Sequence, residues 1–353
     1  MTSIAPEPCH PQRAELRWRS QLAVANRYCL AALLLGLAFA SRADPLDSAG
    51  LIAGAEQLPR LHNLLVSVDG ELVLEHHQAG PPPDQPANIK SLSKTVLAAM
   101  VGVAIKAGVF ESVDQPITEV LGERVPDDAT PGVQNITISH LLSLQAGLER
   151  TSGRNYGRWV LSDNWVEHVL TRPFVDQPGG RMLYSTGSSH LLSAALTEAS
   201  GRSTLELAKD WLGEPLNVTI PAWPQDPQGI YFGGNDMMLS PRALIRIGEL
   251  HRLDGQWNGQ QLLPADWVEQ AWQGRGRSAF TDDPYGYGWF QLDLAGYQAW
   301  YGRGFGGQVL YVVPALQLTV AITSNPNPPS PGSHYLRQLH ALVESHVIPG
   351  IGG

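Results

Sequence analysis

Ser91 and Lys94 stand three positions apart, just before an apolar run that extends from Val96 to Ile105. A serine hydroxyl is a weak nucleophile at neutral pH, and it becomes reactive when a base within hydrogen-bond distance takes its proton. An amine can be that base if burial suppresses its charge. Because positions i and i+3 share one face of a helix, a helix that begins near Ser91 brings the two side chains together. The pair therefore predicts a serine nucleophile with a lysine base.

The same spacing also has an ordinary structural interpretation. Ser91 can be a plain N-cap and Lys94 a solvated side chain, as in many helices. The following residues help to decide, since the segment from Val96 to Ile105 is apolar apart from Gly102. A helix of this composition is predicted to be buried. Lysine side chains are rarely buried unless they are paired or have a function. The sequence thus favours the catalytic interpretation.

The overall composition is that of an ordinary globular protein. The chain has 353 residues, of which 43% are hydrophobic and 16% are charged. Its formal net charge of -9 and the absence of any block of like charge argue against a nucleic-acid partner. The run Glu75–His77 follows a predicted strand and has no second motif at metal-ligand spacing, so we expect a surface run. We predict no metal site and no cofactor.

The N-terminal segment has the pattern of a targeting leader. Several arginines precede an apolar stretch from Tyr28 to Ala40 that ends in small residues, which is typical of a secretory signal. The long segment before it leaves an uncleaved anchor as an alternative. We place the leader at residues 1–43 and one catalytic domain at 44–353, and we expect a secreted or periplasmic protein that stays on the membrane only if uncleaved. Cys9 and Cys29 both lie in the leader, so the mature chain is predicted to have no disulfide.

The order of predicted elements indicates the fold class. Two β-rich runs flank Asp69–Gly70, which predicts an antiparallel hairpin. Helical patterns fill the middle of the chain, including Leu191–Gly201 with a glycine stop and a helix capped by Ser240 with proline next. Three β-rich runs between 287 and 323 precede a closing helix at about 334–347. We predict an α+β fold, an antiparallel sheet flanked by helices with a large inserted helical region.

Four segments, in this order, resemble motifs of the serine β-lactamase and penicillin-binding-protein superfamily. The resemblance is to its class C-like branch of esterases, D-aminopeptidases and 6-aminohexanoate-dimer hydrolases. The four segments are Ser91–Lys94, Ile136–Gly147, Pro178–Thr186 and Gly304–Gln308. The similarity runs from about Leu61 to the C-terminus and implies the β-lactamase/transpeptidase-like fold. It also implies acyl-enzyme chemistry without a cofactor.

The resemblance assigns a role to Tyr184. In such enzymes a Tyr-x-Asn element places a tyrosine beside the nucleophile, and the matching segment here is Tyr184–Thr186. A tyrosine can relay a proton between the lysine and the leaving group when a nearby ammonium lowers its pKa. The alternative is a core aromatic with a satisfied hydroxyl. Thr186 replaces the family's asparagine, and this loss of a carboxamide argues against β-lactam-like or peptidoglycan-like substrates.

The family's third element is a Lys/His-Thr/x-Gly triplet on a strand beside the site, and this sequence has no such triplet. A glycine-rich segment stands in its place, whose backbone could approach a ligand and supply one oxyanion donor, with the N–H of Ser91 as the other. Its glycines are Gly304, Gly306 and Gly307. A simple turn between strands is the alternative. Arg303 is either a substitute cation for a substrate carboxylate or a solvated side chain.

These observations together predict an exported serine hydrolase that acts on a small ester or amide. Carboxylesterase is the first choice, and small-amide hydrolase, D-aminopeptidase or β-lactamase-like activity is the alternative. A non-catalytic, cell-wall-binding member of the same fold is the competing class. The joint presence of Ser91, Lys94 and Tyr184 favours the enzyme. The glycine-rich loop Asp226–Asp236 is a weaker candidate that could border the cleft, and it lacks the strand-then-helix setting of a phosphate loop.

Overall fold

The central sheet is built from eight antiparallel strands contributed by both ends of the domain. It is seen in a computed structural model that describes residues 46–329 and 332–352. The predicted leader, residues 1–43, lies outside the described residues. In spatial order the strands are β2 (Glu71–His77), β1 (Leu61–Val68), β12 (Leu318–Ser324), β11 (Gln308–Val313), β10 (Tyr297–Gly304), β9 (Phe290–Leu294), β8 (Pro284–Tyr285) and β7 (Gly276–Arg277).

Two short ladders lie outside this sheet. They pair β3 (Ala87–Asn88) with β4 (Met238–Leu239) and β5 (Gln256–Trp257) with β6 (Gln260–Gln261). The helices cover both faces of the main sheet. They are α1 (Ser48–Glu56), α2 (Ser93–Lys106), α3 (Ile117–Leu121), α4 (Ile138–Leu142), α5 (Tyr156–Val160), α6 (Trp165–Leu170), α7 (Thr186–Ser200), α8 (Thr204–Ala208), α9 (Glu214–Leu216), α10 (Pro241–Arg252), α11 (Trp267–Trp272), α12 (Ser333–Leu342) and α13 (Ile348–Ile351).

Strand β11 shows why the sheet is apolar on both sides. Successive strand residues point to opposite faces. Leu310 and Val312 pack in the core shared with α2 and the helical region, whereas Val309, Tyr311 and Val313 pack in the core shared with α1 and α12. Because both faces are covered, all six residues of β11 are buried, and the five that follow Gln308 form a continuous apolar run. The predicted α+β class, with its antiparallel sheet, flanking helices and inserted helical region, is confirmed.

Local signals in the sequence correspond to the observed ends of elements. The hairpin turns at Asp69 and Gly70, which both have positive φ, as a tight two-residue turn requires. The Ser240 side chain accepts a hydrogen bond from the Ala243 amide at the start of α10. Gly201 ends α7 in the left-handed conformation. These three predictions are confirmed.

Helix α2 is buried along most of its length, from Ser93 to Ala104, as its composition predicted. Its one interruption, Gly102, has a packing reason, since a Cβ there would lie 2.7 Å from the Trp267 ring. The α-helix begins later than we predicted, because Ser91 lies in a 3₁₀ turn, Lys90–Leu92, ahead of it. Within residues 46–329 and 332–352, no helix is long and apolar enough to cross a membrane.

Candidate active site

Ser91 sits on a tight turn whose backbone is held from two sides. Lys90, just before it, has a positive φ of 51°, an uncommon conformation for a residue with a side chain. The Lys90 amide donates to Asn88 Oδ1 (2.9 Å), and the Lys90 ammonium pairs with Asp236 (2.8 Å). The hydroxyl of Ser93 donates to the Lys90 carbonyl (2.5 Å) and accepts from the Met237 amide (3.1 Å). These contacts fix the orientation of the turn that carries Ser91.

Lys94 is almost fully buried, with 6% of its surface exposed. Its Nζ lies 3.4 Å from Ser91 Oγ, 3.4 Å from Thr186 Oγ1 and 2.7 Å from the Gly234 carbonyl oxygen. Burial lowers the pKa of Lys94 from its ordinary value of 10.5, and smaller contributions from Tyr184 and Asp236 oppose this. The amine is therefore both close to the hydroxyl and biased toward its basic form. The structure thus brings together the pair on which the sequence hypothesis rests.

Tyr184 lies beside the same pair. The Lys94 Nζ is 4.9 Å from the centre of its ring. Burial raises the pKa of Tyr184, but the charge of Lys94, a hydrogen bond to Ser91 and the charge of Arg303 together lower it below its ordinary value of 10.0. A phenol in this setting can accept a proton and return it. The structure therefore places Tyr184 next to Ser91 and Lys94, and its role as a proton relay stays a prediction.

Thr186 is the first residue of α7, and the side chains of Thr151 and Ser152 cap this end of the helix. Its amide donates to Ser152 Oγ (2.9 Å), and its hydroxyl lies 3.0 Å from the same oxygen. The next amide, that of Gly187, donates to Thr151 Oγ1 (2.8 Å). The Thr186 hydroxyl therefore links Lys94 to Ser152, a residue that the sequence analysis did not single out. A single hydroxyl here makes both contacts.

The glycines of β10 and its turn let backbone segments approach each other closely. A Cβ on Gly304 would lie 2.2 Å from the Ile89 carbonyl oxygen, so only glycine allows β10 to pack against the turn that carries Ser91. The Gly307 amide donates to the Gly304 carbonyl (3.3 Å) and closes the turn after β10. The Gly307 amide is therefore engaged within the turn.

Arg303 also reaches this part of the molecule. Its guanidinium lies 4.6 Å from the centre of the Phe290 ring, in cation–π contact. Its charge contributes to the lowered pKa of Tyr184. The Arg303 side chain is therefore held by its contact with Phe290 rather than freely solvated. From β10 its charge helps to lower the pKa of Tyr184.

The loop Asp226–Asp236 borders the site and is anchored by a buried pair. His190, which is fully buried, lies with its Nε2 3.0 Å from Asp226 Oδ2, and its Nδ1 accepts the Gly233 amide at 3.2 Å. Because Nδ1 accepts, the ring proton is on Nε2 and is donated to Asp226. Asp226 Oδ1 also accepts the Ile230 amide (2.8 Å). The pair holds the loop whose Gly234 carbonyl contacts Lys94, and sequence reasoning identified only the loop.

We expect Asp226→Ala to weaken both the fold and the site. It removes the acceptor of the His190 proton and of a loop amide, and each buried group left unsatisfied costs about 1–3 kcal/mol. We therefore expect a lower free energy of unfolding in urea and a kcat/KM for ester hydrolysis reduced by about 10-fold or more, since small displacements of positioning groups are costly. Asp210→Ala, which removes an exposed partner of Arg202, is the matched control. Equal, small changes in both variants would contradict the anchoring role.

A cavity of about 470 Å³ opens onto Ser91, a volume usual for a small-molecule site. Tyr184, Arg150 and Arg303 contribute polar groups to its wall, and Phe280 and Phe305 contribute apolar surface. No cluster of three or more histidine, cysteine, aspartate or glutamate side chains suited to a metal ion occurs in the part of the chain that the structure describes. The cavity can admit a small substrate to the serine hydroxyl.

Residues 62–345 match the family model described as Beta-lactamase. The chain belongs to the β-lactamase family. Within the family it is similar to a 6-aminohexanoate-dimer hydrolase from Paenarthrobacter ureafaciens, with 26% identity over 289 residues that cover 73% of this chain and 72% of the relative. This likeness and the family match identify a hydrolase of the β-lactamase fold.

Two solved structures have the same fold as this chain. EstCE1, a hydrolase with promiscuous acyltransferase activity, superposes with a TM-score of 0.71 at 16% identity, covering 86% of this chain and 100% of that structure. A D-stereospecific amidohydrolase from Streptomyces sp. superposes with a TM-score of 0.63 at 16% identity, covering 79% and 94%. The fold of this chain is therefore shared by structures whose titles name a hydrolase and an amidohydrolase.

The lowered pKa of Lys94 gives this family member a predictable pH dependence. With the unprotonated amine as the predicted base, kcat/KM for an ester should rise with pH as Lys94 loses its proton. Because burial lowers that pKa below 10.5, we expect the rise to level off before pH 10.5. Initial rates with p-nitrophenyl butyrate across buffers of constant ionic strength measure this. A rate that keeps rising through pH 10.5, as for a solvated lysine, would contradict the assignment.

Proposed function

We propose that the protein is an exported serine hydrolase that cleaves small carboxylic esters through an acyl-enzyme on Ser91. The observation that carries the proposal is the buried Lys94 amine, 3.4 Å from Ser91 Oγ, with a lowered pKa. Burial of a lysine lowers the stability of a fold, so a buried lysine with a shifted pKa usually indicates a functional site. Catalytic hydrogen bonds of this length shorten when substrate is bound.

In the acylation step the Ser91 oxygen attacks the ester carbonyl carbon, and its proton passes to Lys94. The bond from that carbon to the leaving oxygen then breaks, and Tyr184 relays the proton to the leaving alkoxide. The Ser91 amide and an amide of the Gly304–Gly307 segment stabilise the oxyanion. In the second step Tyr184 and Lys94 take a proton from water, which attacks the acyl carbon and releases the carboxylic acid. The proton returns to the Ser91 oxygen, and the enzyme is restored.

Ester hydrolysis is preferred because two family elements specific to β-lactam-type substrates are altered here. Thr186 replaces the asparagine, and the third triplet is absent. Amide hydrolysis is the second candidate. It is favoured by the likeness to the 6-aminohexanoate-dimer hydrolase, and it needs the same leaving-group protonation from Tyr184.

The experiment is a substrate panel on the purified protein. We expect turnover of p-nitrophenyl acetate and butyrate, slower release from D-alanine p-nitroanilide, and least from nitrocefin, measured as kcat/KM by absorbance. A dominant anilide rate would favour the amidase, and a dominant nitrocefin rate would indicate β-lactamase activity. Rates indistinguishable from buffer for every substrate would contradict the enzyme and favour a non-catalytic binder.

A further inference from the structure

The Lys94 amine lies among three polar groups. Its Nζ is 2.7 Å from the Gly234 carbonyl oxygen and 3.4 Å from each of two hydroxyl oxygens, those of Ser91 and Thr186. A neutral amine has two N–H donors and one lone pair. The carbonyl oxygen can only accept a hydrogen bond, so it takes one N–H. The second N–H and the lone pair are therefore divided between the two hydroxyls.

The two hydroxyls compete for that lone pair, and only one outcome is productive. If Ser91 donates to the amine, its proton is in place for transfer and its oxygen can attack the substrate. If Thr186 donates instead, the amine turns an N–H toward Ser91 and cannot take the serine proton. The two distances from Lys94 Nζ are equal, so they do not decide between the arrangements. A further contact of Thr186 has to do so.

Ser152 makes that further contact. Its Oγ lies 3.0 Å from Thr186 Oγ1 and accepts the Thr186 amide at 2.9 Å. Within residues 46–329 and 332–352, Lys94 and Ser152 are the two partners of the Thr186 hydroxyl. Because Thr186 is almost fully buried, its hydroxyl proton goes to one of these two. A proton donated to Ser152 leaves the Thr186 oxygen to accept from Lys94.

Ser152 can accept that proton because it can donate its own elsewhere. It lines the cavity at Ser91, so its hydroxyl can donate to solvent or substrate there while its oxygen accepts both groups of Thr186. Its position is fixed through the preceding residue, Thr151, whose amide donates to Ser185 Oγ at 3.1 Å. The segment is therefore held at the start of α7, and Ser152 stays within reach of the Thr186 hydroxyl.

We propose that Ser152 is a positioning residue, which accepts the hydroxyl proton of Thr186 and so keeps the lone pair of Lys94 directed at the Ser91 hydroxyl. This inference rests on the proposed serine hydrolase, and it deepens that function by identifying what keeps the base available to the nucleophile. Ser152 acts through Thr186 and Lys94 rather than on the reacting atoms. Its contact with the Thr186 amide is ordinary helix capping, which is a separate role.

Ser152→Ala should lower kcat for p-nitrophenyl butyrate by about 5-fold, the rate equivalent of one hydrogen bond. The Thr186 proton then has Lys94 as its acceptor, and the fraction of enzyme with a productive amine falls. KM should stay within about 2-fold, because Lys94 is the proposed base in both acylation and deacylation. Ser152→Thr keeps the hydroxyl and should retain kcat within about 2-fold of wild type.

The same change is then made in Thr186→Val and Thr186→Asn proteins. Valine has no hydroxyl, and the oxygen of a carboxamide can only accept a hydrogen bond. In neither background does a hydroxyl proton compete for the Lys94 lone pair, so Ser152→Ala should alter kcat by less than about 2-fold. The capping contact with the amide of residue 186 is common to all three backgrounds, and its loss cancels in the comparison.

Thr151→Val is the matched control, because it removes the other hydroxyl that caps α7, the one that accepts the Gly187 amide. Its effect on kcat should be the same with threonine, valine or asparagine at position 186. An equal effect of Ser152→Ala in all three backgrounds would show that Ser152 only caps the helix and would overturn the inference. A wild-type kcat in Ser152→Ala would overturn it as well. Absence of ester hydrolysis by the wild-type protein would instead overturn the proposed function.

Discussion

Ser91→Ala is expected to lower kcat/KM for p-nitrophenyl butyrate by about 10⁴-fold or more, because removal of a nucleophile disables the whole catalytic unit. The hydroxyl lies in a fixed turn with Lys94 and Tyr184 beside it. The measurement is the initial rate with wild-type and variant protein at equal concentration, after each has been shown to unfold at a similar urea concentration.

Ser200→Ala is the matched control for this change. It removes a hydroxyl of the same type from the far end of α7, about 20 Å from Thr186 by the rise of a helix. Its Oγ bonds to the local backbone carbonyls of Leu196 and Arg202 and to the Arg202 amide. Its rate should remain within about 2-fold of wild type, because surface changes away from a site are usually small. A Ser91→Ala protein that keeps a tenth of the wild-type rate would contradict the role of Ser91.

Lys94→Met is expected to lower kcat/KM by about 10²–10⁴-fold, the range for loss of a general base. Methionine fills a similar volume but cannot take the Ser91 proton. The free energy of unfolding should stay within about 1 kcal/mol of wild type, because the lost hydrogen bond to Gly234 is offset by removal of a buried amine. Rate measurement and urea unfolding of the same preparation separate the two effects.

Lys106→Met is the control, because it makes the same substitution at the last residue of α2, outside the cavity. Its rate should be unchanged. If Lys94→Met kept a rate within 10-fold of wild type, another group would have to serve as the base. If it unfolded far more easily than wild type, Lys94 would contribute to the stability of the fold, and the loss of rate would not identify it as the base.

The sequence predicted those parts of the molecule that depend on local pattern. The Asp69–Gly70 hairpin, the Ser240 cap and the glycine after α7 each follow from the conformational preference of one or two residues. The apolar composition of α2 predicted its burial, and with it the unusual environment of Lys94. The order of motifs predicted the fold because the family shares that order. Local preference did not separate the 3₁₀ turn at Ser91 from the helix that follows, since both favour the same residues.

The remaining parts of the site depend on contacts between distant segments, for which the sequence has no periodic signal. Lys94 and Gly234 are 140 positions apart. The His190–Asp226 pair and the link from Ser152 to Thr186 join α7 to separate loops. The only signal was the glycine content of the loop Asp226–Asp236. Strand β10 was not among the three predicted β-rich runs, because glycines weaken the strand pattern of a segment that they allow to pack closely. The alternative of a turn between strands holds for residues 305–307, which connect β10 to β11.

Covalent labelling with a fluorophosphonate, followed by assignment of the modified residue, tests the central claim most directly. Trypsin cleaves after Lys90 and Lys94 and leaves both Ser91 and Ser93 on one four-residue peptide. A protease that does not cut at lysine, with fragment-ion sequencing, is therefore required. The account predicts a single adduct on Ser91 that is absent from Ser91→Ala. An adduct on another serine, or no adduct on a protein that still hydrolyses esters, would contradict it.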